Sequence, residues 1–213
     1  MTPPARCLTS GACQVADQGE SMMGKDRPCR SHVIEAKAVL NFWFNDTTPS
    51  QWFTKDPAFD ALLRQRFLEL TNQAIAGELG PWSETPQSGL ALVLVLDQFP
   101  RQLWRDSAKA FAGDPQALAL SLRALQLGWV EAEPDQTRRQ FWLMPLMHSE
   151  ELAVQEASLP LFSQFVDERT ADFARRHRDV IARFGRFPHR NAALGRESST
   201  AELAFLQTPG SGF

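Results

Sequence analysis

An all-α fold is what this sequence predicts, on three observations. Apolar residues recur at steps of three and four along most of the chain after residue 32, the spacing of one helix face. Helix-start signals, Asp-Pro, Thr-Pro or Ser-x-x-Glu, stand in front of several of those stretches, and glycine follows others. Nowhere do apolar and polar residues alternate with period two, as a half-buried strand would require. About eight or nine helices with short connections, and no legible internal repeat, are expected within one domain spanning residues 33–213.

Residues 1–32 are unlike the rest. All three cysteines of the chain, Cys7, Cys13 and Cys29, lie there among prolines and without a hydrophobic period. Their C-x5-C-x15-C spacing fits no zinc module. A basic start followed by an apolar core is missing, so no secretory signal is expected. The stretch reads as a disordered leader, with Met22 or Met23 as alternative starts. With no cysteine in the body, a reducing cytoplasm is the expected compartment.

The body then reads in order. Val33–Phe44 is an amphipathic helix ending in Phe42, Trp43 and Phe44, and Trp52 and Phe53 follow in a loop. Asp56-Pro57 starts a helix that should bury Phe59, Leu63, Phe67, Leu70 and Ala74. Leu90–Leu96 is apolar on every side and fits a strand or a helix. Helix is the better reading, because Thr85-Pro86 caps it and no second strand exists to pair with it. Pro100 should break or kink it. Asp114-Pro115 starts a helix expected to bury Leu118, Leu122 and Leu125 and to close at Gly128. Asp135 opens the next helix, with Pro145 as a kink. Ser149 is the expected cap of another, which Pro160 should bend or split.

The most informative stretch is Phe173–Glu197. It holds seven arginines against Asp179 and Glu197, formally +5 in a chain of net charge −3. Such a patch either binds anions or is neutralised by carboxylates of the body. Phe173, His177, Ile181 and Phe184 form an apolar helical stripe; Gly185 should close that helix, Pro188 open a short one, and Ser199 to Glu202 form a capping box. Helix ends and a helix start thus crowd around Arg186, His189, Arg190 and Asn191, a candidate anion site. Asp97 lies one turn beyond Val93 and should point inward, where an unpaired carboxylate is very costly. Its expected partners are the arginines and histidines of the C-terminal segment, and Arg101, His148 and His177 complete the candidate set.

Four motifs carry a resemblance: DQFPR at 97–101, PLMHSE at 145–150, FARRHRD at 173–179 and FGRFPHRNAALGRES at 184–198. Together they resemble the bacterial proteins grouped as domain of unknown function 924, over roughly Val33 to Leu206. The resemblance implies an all-helical fold similar to tetratricopeptide repeats, with antiparallel helix pairs stacked as a small superhelix. It brings no reaction and no assigned catalytic residue. Gln102 departs from the pattern, which more usually has Asn after DQFPR.

Most chemistries are poorly served. His148 and Glu151 stand once, in the reverse of the order a di-iron helix bundle needs, so no metal and no cofactor is expected. The body has no cysteine and no G-x-S-x-G elbow. HRD at 177–179 copies a kinase triplet by accident, for no glycine-rich loop or DFG accompanies it. Mild acidity argues against nucleic acid, and no apolar run approaches the ~18 residues a membrane span requires. The leading reading is a helical domain that binds a small anion or an acidic peptide end. Two others stand beside it: an enzyme with a histidine base and arginines holding an anionic substrate, and a purely structural Arg/His–Asp97 network with a protein partner bound elsewhere.

Overall fold

In a computed structural model, residues 27–212 are described, with side chains from Val33 onward, and every regular element among them is helical. The helices are α1 (Arg27–Asn41), α2 (Pro49–Phe53), α3 (Pro57–Ile75), α4 (Pro86–Val93), α5 (Phe99–Leu103), α6 (Asp114–Gln126), α7 (Trp129–Ala132), α8 (Gln136–Met147), α9 (Leu152–Phe165), α10 (Glu168–Phe184) and α11 (Thr200–Leu206). Eight of them run seven residues or more. The leader expected for residues 1–32 lies outside the described residues up to position 26, and α1 already begins at Arg27.

Aromatic residues build the centre. After α1 the backbone widens into a π-helical turn, Phe42–Asp46, which turns Phe42 and Trp43 fully inward. Trp43 stacks on Trp52 at 5.8 Å and meets the edge of Phe141 at 5.6 Å. Phe42, Phe59, Phe67 and Phe99 close the cluster, with Phe67 and Phe99 centred 5.2 Å apart. Trp52 belongs to the short helix α2 rather than to a loop, and its Nε1 donates to the Thr47 hydroxyl at 2.7 Å. Offset and edge contacts of this kind add about 0.5–1.5 kcal/mol each to the burial itself.

The apolar run is helical, and all residues from Gly89 to Pro100 are buried. Pro100 does not break it. A second π-helical turn, Leu94–Gln98, precedes α5, and Pro100 sits in the first turn of that helix. Proline offers no N–H to the carbonyl of Leu96, four residues back, and the wider turn absorbs the mismatch. Gly113 packs directly on that Leu96 carbonyl, where any Cβ would overlap it. The approach holds Asp114, the first residue of α6, close to Asp97 and Arg101.

Three buried faces and one helix cap differ from expectation. In α3, Thr71 rather than Leu70 is fully buried. In α6 the buried face is Ala117, Leu120, Ser121 and Ala124, while Leu122 is exposed. Small residues let α6 lie close to its neighbours, and the leucines flank that contact. In α10 the buried face is Thr170, Ala171, Ala174, His177, Val180 and Ile181; Phe173 is 41% exposed and carries Arg176 on its ring. The cap of α9 is Glu151 instead of Ser149, and both Pro145 and Pro160 lie within unbroken helices. Among the described residues no helix is long and apolar enough to cross a membrane.

Candidate functional site

Asp97 is fully buried at the end of the second π-helical turn. Its carboxylate takes Nδ1 of His148 at 2.7 Å, Nη1 of Arg101 at 3.3 Å and the side-chain amide of Gln98. Burial by itself would raise the basicity of this carboxylate. The charge of Arg101, with the hydrogen bonds from His148 and Gln98, outweighs that and holds it well below the usual carboxylate range. The expectation that Asp97 pairs with the C-terminal segment is corrected: its partners are Arg101, one turn on, and His148, at the end of α8.

The C-terminal segment enters through Asp114 instead. Both oxygens of Asp114 receive Arg101, at 2.9 and 3.0 Å, and Oδ2 also receives Nη1 of Arg190 at 3.1 Å. Arg190 gives its Nη2 to the backbone carbonyl of His148 at 3.0 Å. Its guanidinium lies over the rings of Phe111 and Phe187, at 4.7 and 4.6 Å from their centroids. The Arg190 side chain is 7% exposed, and its Nε is buried without a hydrogen-bond partner. Burial, then the neighbouring charge of Arg101, lowers its pKa to about 10. Arg101, Arg105 and Arg186 are shifted the other way, upward.

Two further histidines line the same place. His148 and His177 have ring centroids 6.2 Å apart, and His177 and His189 flank Phe187 at 5.6 and 5.5 Å. Nδ1 of His177 donates to the Phe173 carbonyl at 2.8 Å, one turn back on α10. Burial, then His148, pushes His177 down to about 3; burial, then Arg190, pushes His189 down to about 4. His148 is also lowered, by burial ahead of the opposing pull of Asp97. All three imidazoles are therefore neutral at pH 7.

Arg186 and Asn191 fall in a different cluster. Arg186 grips Glu202 through Nε at 2.7 Å and Nη2 at 2.9 Å, and also reaches the Glu197 carbonyl. Asn191 bonds Ser198, Glu202 and Arg196, and Arg196 forks onto Glu150 at 2.7 and 2.9 Å. Of the eight candidate residues, Asp97, Arg101, His148, His177, His189 and Arg190 converge, whereas Arg186 and Asn191 tie the last turn of chain to α11.

Sequence reasoning missed Asp114 as the bridging carboxylate, Phe111 as a platform for Arg190, and Glu150 as the anchor of Arg196. The signal for Asp114 was present as a helix-start residue, since a side chain at that position can turn outward toward cations. Among the described residues no three His, Cys, Asp or Glu side chains are arranged to hold a metal ion. A shallow hollow lined by Val33, Ala36, Lys37, Leu40, Thr85, Gln87 and Ser88 lies between α1 and the start of α4, and none of the converging residues lines it.

Comparisons with known proteins place the chain. A solved structure, that of the protein of unknown function ATU0120 from Agrobacterium tumefaciens, is similar with 36% identity and a TM-score of 0.77, covering 82% of this chain and 98% of that one. No curated protein matches. The model of a family described as bacterial proteins of unknown function, DUF924, matches residues 39–210, and the chain belongs to that family.

Proposed function

We propose that the protein binds a small anionic ligand at the cluster of Arg190 and the three histidines. One observation carries this reading: Arg190 is a buried cation whose pKa is lowered, with an Nε–H that has no acceptor. It shares its one carboxylate contact, Asp114, with Arg101. A guanidinium held out of water with a donor unused favours an added acceptor, and a charge-assisted bond there is among the stronger ones available. The ligand is a phosphate, sulfate or carboxylate group, free or at the end of an acidic peptide. In this reading the consecutive helices α8, α9 and α10, which pack on one another, form a tetratricopeptide-like stack in a cytoplasmic protein.

A second reading rests on the 2.7 Å contact of Asp97 with His148. A carboxylate on Nδ1 orients an imidazole and leaves Nε2 as a base, the arrangement of a general base in proton abstraction.

The test is a thermal-shift screen with phosphate, sulfate, acetate and short acidic peptides. A ligand of the folded state adds RT ln(1 + [L]/Kd), about 2.7 kcal/mol at a hundred times Kd. Free anions and peptide ends are separated by whether amidated peptides lose the effect. Arg190→Ala should abolish the shift, while Arg186→Ala should lower the melting temperature and keep it. A wild type that no anion shifts would leave the network as internal scaffolding.

A further inference from the structure

We infer that the site takes its anion together with a proton, which comes to rest on Nε2 of His148; this rests on the anion-binding reading above. The geometry of the imidazoles is the reason. Nδ1 of His148 faces an ionised carboxylate, which only accepts, so this nitrogen carries the hydrogen and donates it. Nδ1 of His177 faces a backbone carbonyl, which also only accepts. In their neutral forms both rings therefore leave Nε2 as a lone pair. A lone pair repels an anion, and only a protonated Nε2 can donate to one.

His148 is the better carrier because of what faces it. From the π-helical turn comes Asp97, from α5 Arg101, and from α6 Asp114. From α10 comes His177, and from the short helix Pro188–Arg190 come His189 and Arg190. Glu150, two residues along the chain, is occupied by Arg196. An imidazolium at His148 would keep the Asp97 carboxylate at 2.7 Å. The charged neighbour that bears on His177 is the cation Arg190, which opposes a proton there. The fixed charges also balance: Arg101 and Arg190 stand against Asp97 and Asp114. Adding an anion alone would leave this buried group negative; a proton taken up with it restores neutrality for a monoanion and removes half of the excess charge for a dianion such as sulfate. In the free protein burial keeps His148 below its ordinary value, so the proton is absent at pH 7 until the anion brings it.

Isothermal calorimetry with sulfate tests this, since sulfate keeps one charge state between about pH 5 and 8 and any pH dependence belongs to the protein. Titrations in two buffers of different ionisation heat count the protons. Expected is uptake of about one proton per sulfate at pH 7, with affinity falling about tenfold per pH unit around pH 7, as one-proton linkage requires. His148→Gln should remove both the uptake and the pH dependence, and His177→Gln should keep both. Sulfate binding with no proton uptake overturns the coupling and leaves the anion site standing. Uptake that survives in His148→Gln overturns the assignment to that residue. No sulfate binding anywhere from pH 5 to 8 overturns the anion site itself. Should His148→Gln fail to fold, the wild-type proton count decides the coupling, and loss of the uptake in His177→Gln or His189→Gln overturns the assignment to His148.

Discussion

Two arginines four positions apart, Arg186 and Arg190, come from one basic stretch and end in opposite circumstances. Arg186 meets both oxygens of Glu202 and stays 32% exposed at its side chain, and its pKa is raised. Its hydrogen bonds, then those of Ser199 and Asn191, hold Glu202 well below the usual carboxylate range. No buried side-chain donor of Arg186, Asn191 or Arg196 is left without an acceptor. Arg190 is almost wholly buried, shares its carboxylate with Arg101, lies between two phenylalanine rings, and keeps a bare Nε. The first cluster reads as a clasp that fixes α11; the second has capacity left over. Local composition does not separate the two. What separates them is how many carboxylates the rest of the fold delivers to each.

The largest effect should come from the centre of the second cluster. Asp97→Ala removes the partner of Arg101 and the orienting acceptor of His148 at a fully buried position. Breaking a buried pair on one side costs about 3–5 kcal/mol, read from the shift of a urea midpoint at constant slope. A loss under about 0.5 kcal/mol, the surface range, would show that Asp97 carries no such burden.

Acid should come next, and between about pH 6.5 and 5, above the range where the unfolded carboxylates titrate, it should act on the histidine cluster alone. His177 and His189 are lowered to about 3 and about 4, while an unfolded histidine titrates near 6.5. As pH falls below that value the unfolded chain takes up protons that the folded chain refuses. Stability is therefore full above about pH 6.5 and is lost as pH falls toward 4, at about 1.4 kcal/mol per pH unit for each histidine. Urea titrations at several pH values measure the slope. His177→Gln should remove its own share, and an unchanged slope in that variant would place the titration elsewhere.

The comparison also marks where sequence reading stops. The helices were legible because apolar period and cap residues are local; the capping box at Ser199 and the left-handed Gly185 were readable for the same reason. The inward direction of Asp97 was legible from its spacing to Val93, but its partner was not. His148 is 51 residues away, and nothing in the spacing selects it over His177 or His189. Leu122 and Phe173 misled because large apolar residues at helical spacing outweighed the small ones that make the close contact in α6 and α10. Phe111 gave no signal at all, since an aromatic beneath a guanidinium is set by tertiary approach alone.

The smallest expected effect belongs to the clasp. Ser199 accepts the amide of Glu202 at 3.3 Å, and Glu202 returns by accepting the amide of Ser199 at 2.7 Å. Ser199→Ala removes one half of this box and keeps the other, together with the Arg186 fork. Loss of a helix N-cap costs about 1 kcal/mol. Because α11 is only seven residues long and is held through Glu202 and the contact of Phe205 with Phe184, the loss should be local. Amide hydrogen exchange should quicken in Thr200–Leu206 while α8 and α10 keep their protection. The acid slope set by the histidines should not change, because no hydrogen bond of Ser199 reaches them. If exchange quickens equally in α8, or the acid slope falls, the two clusters are one cooperative unit and the distinction between clasp and site does not hold.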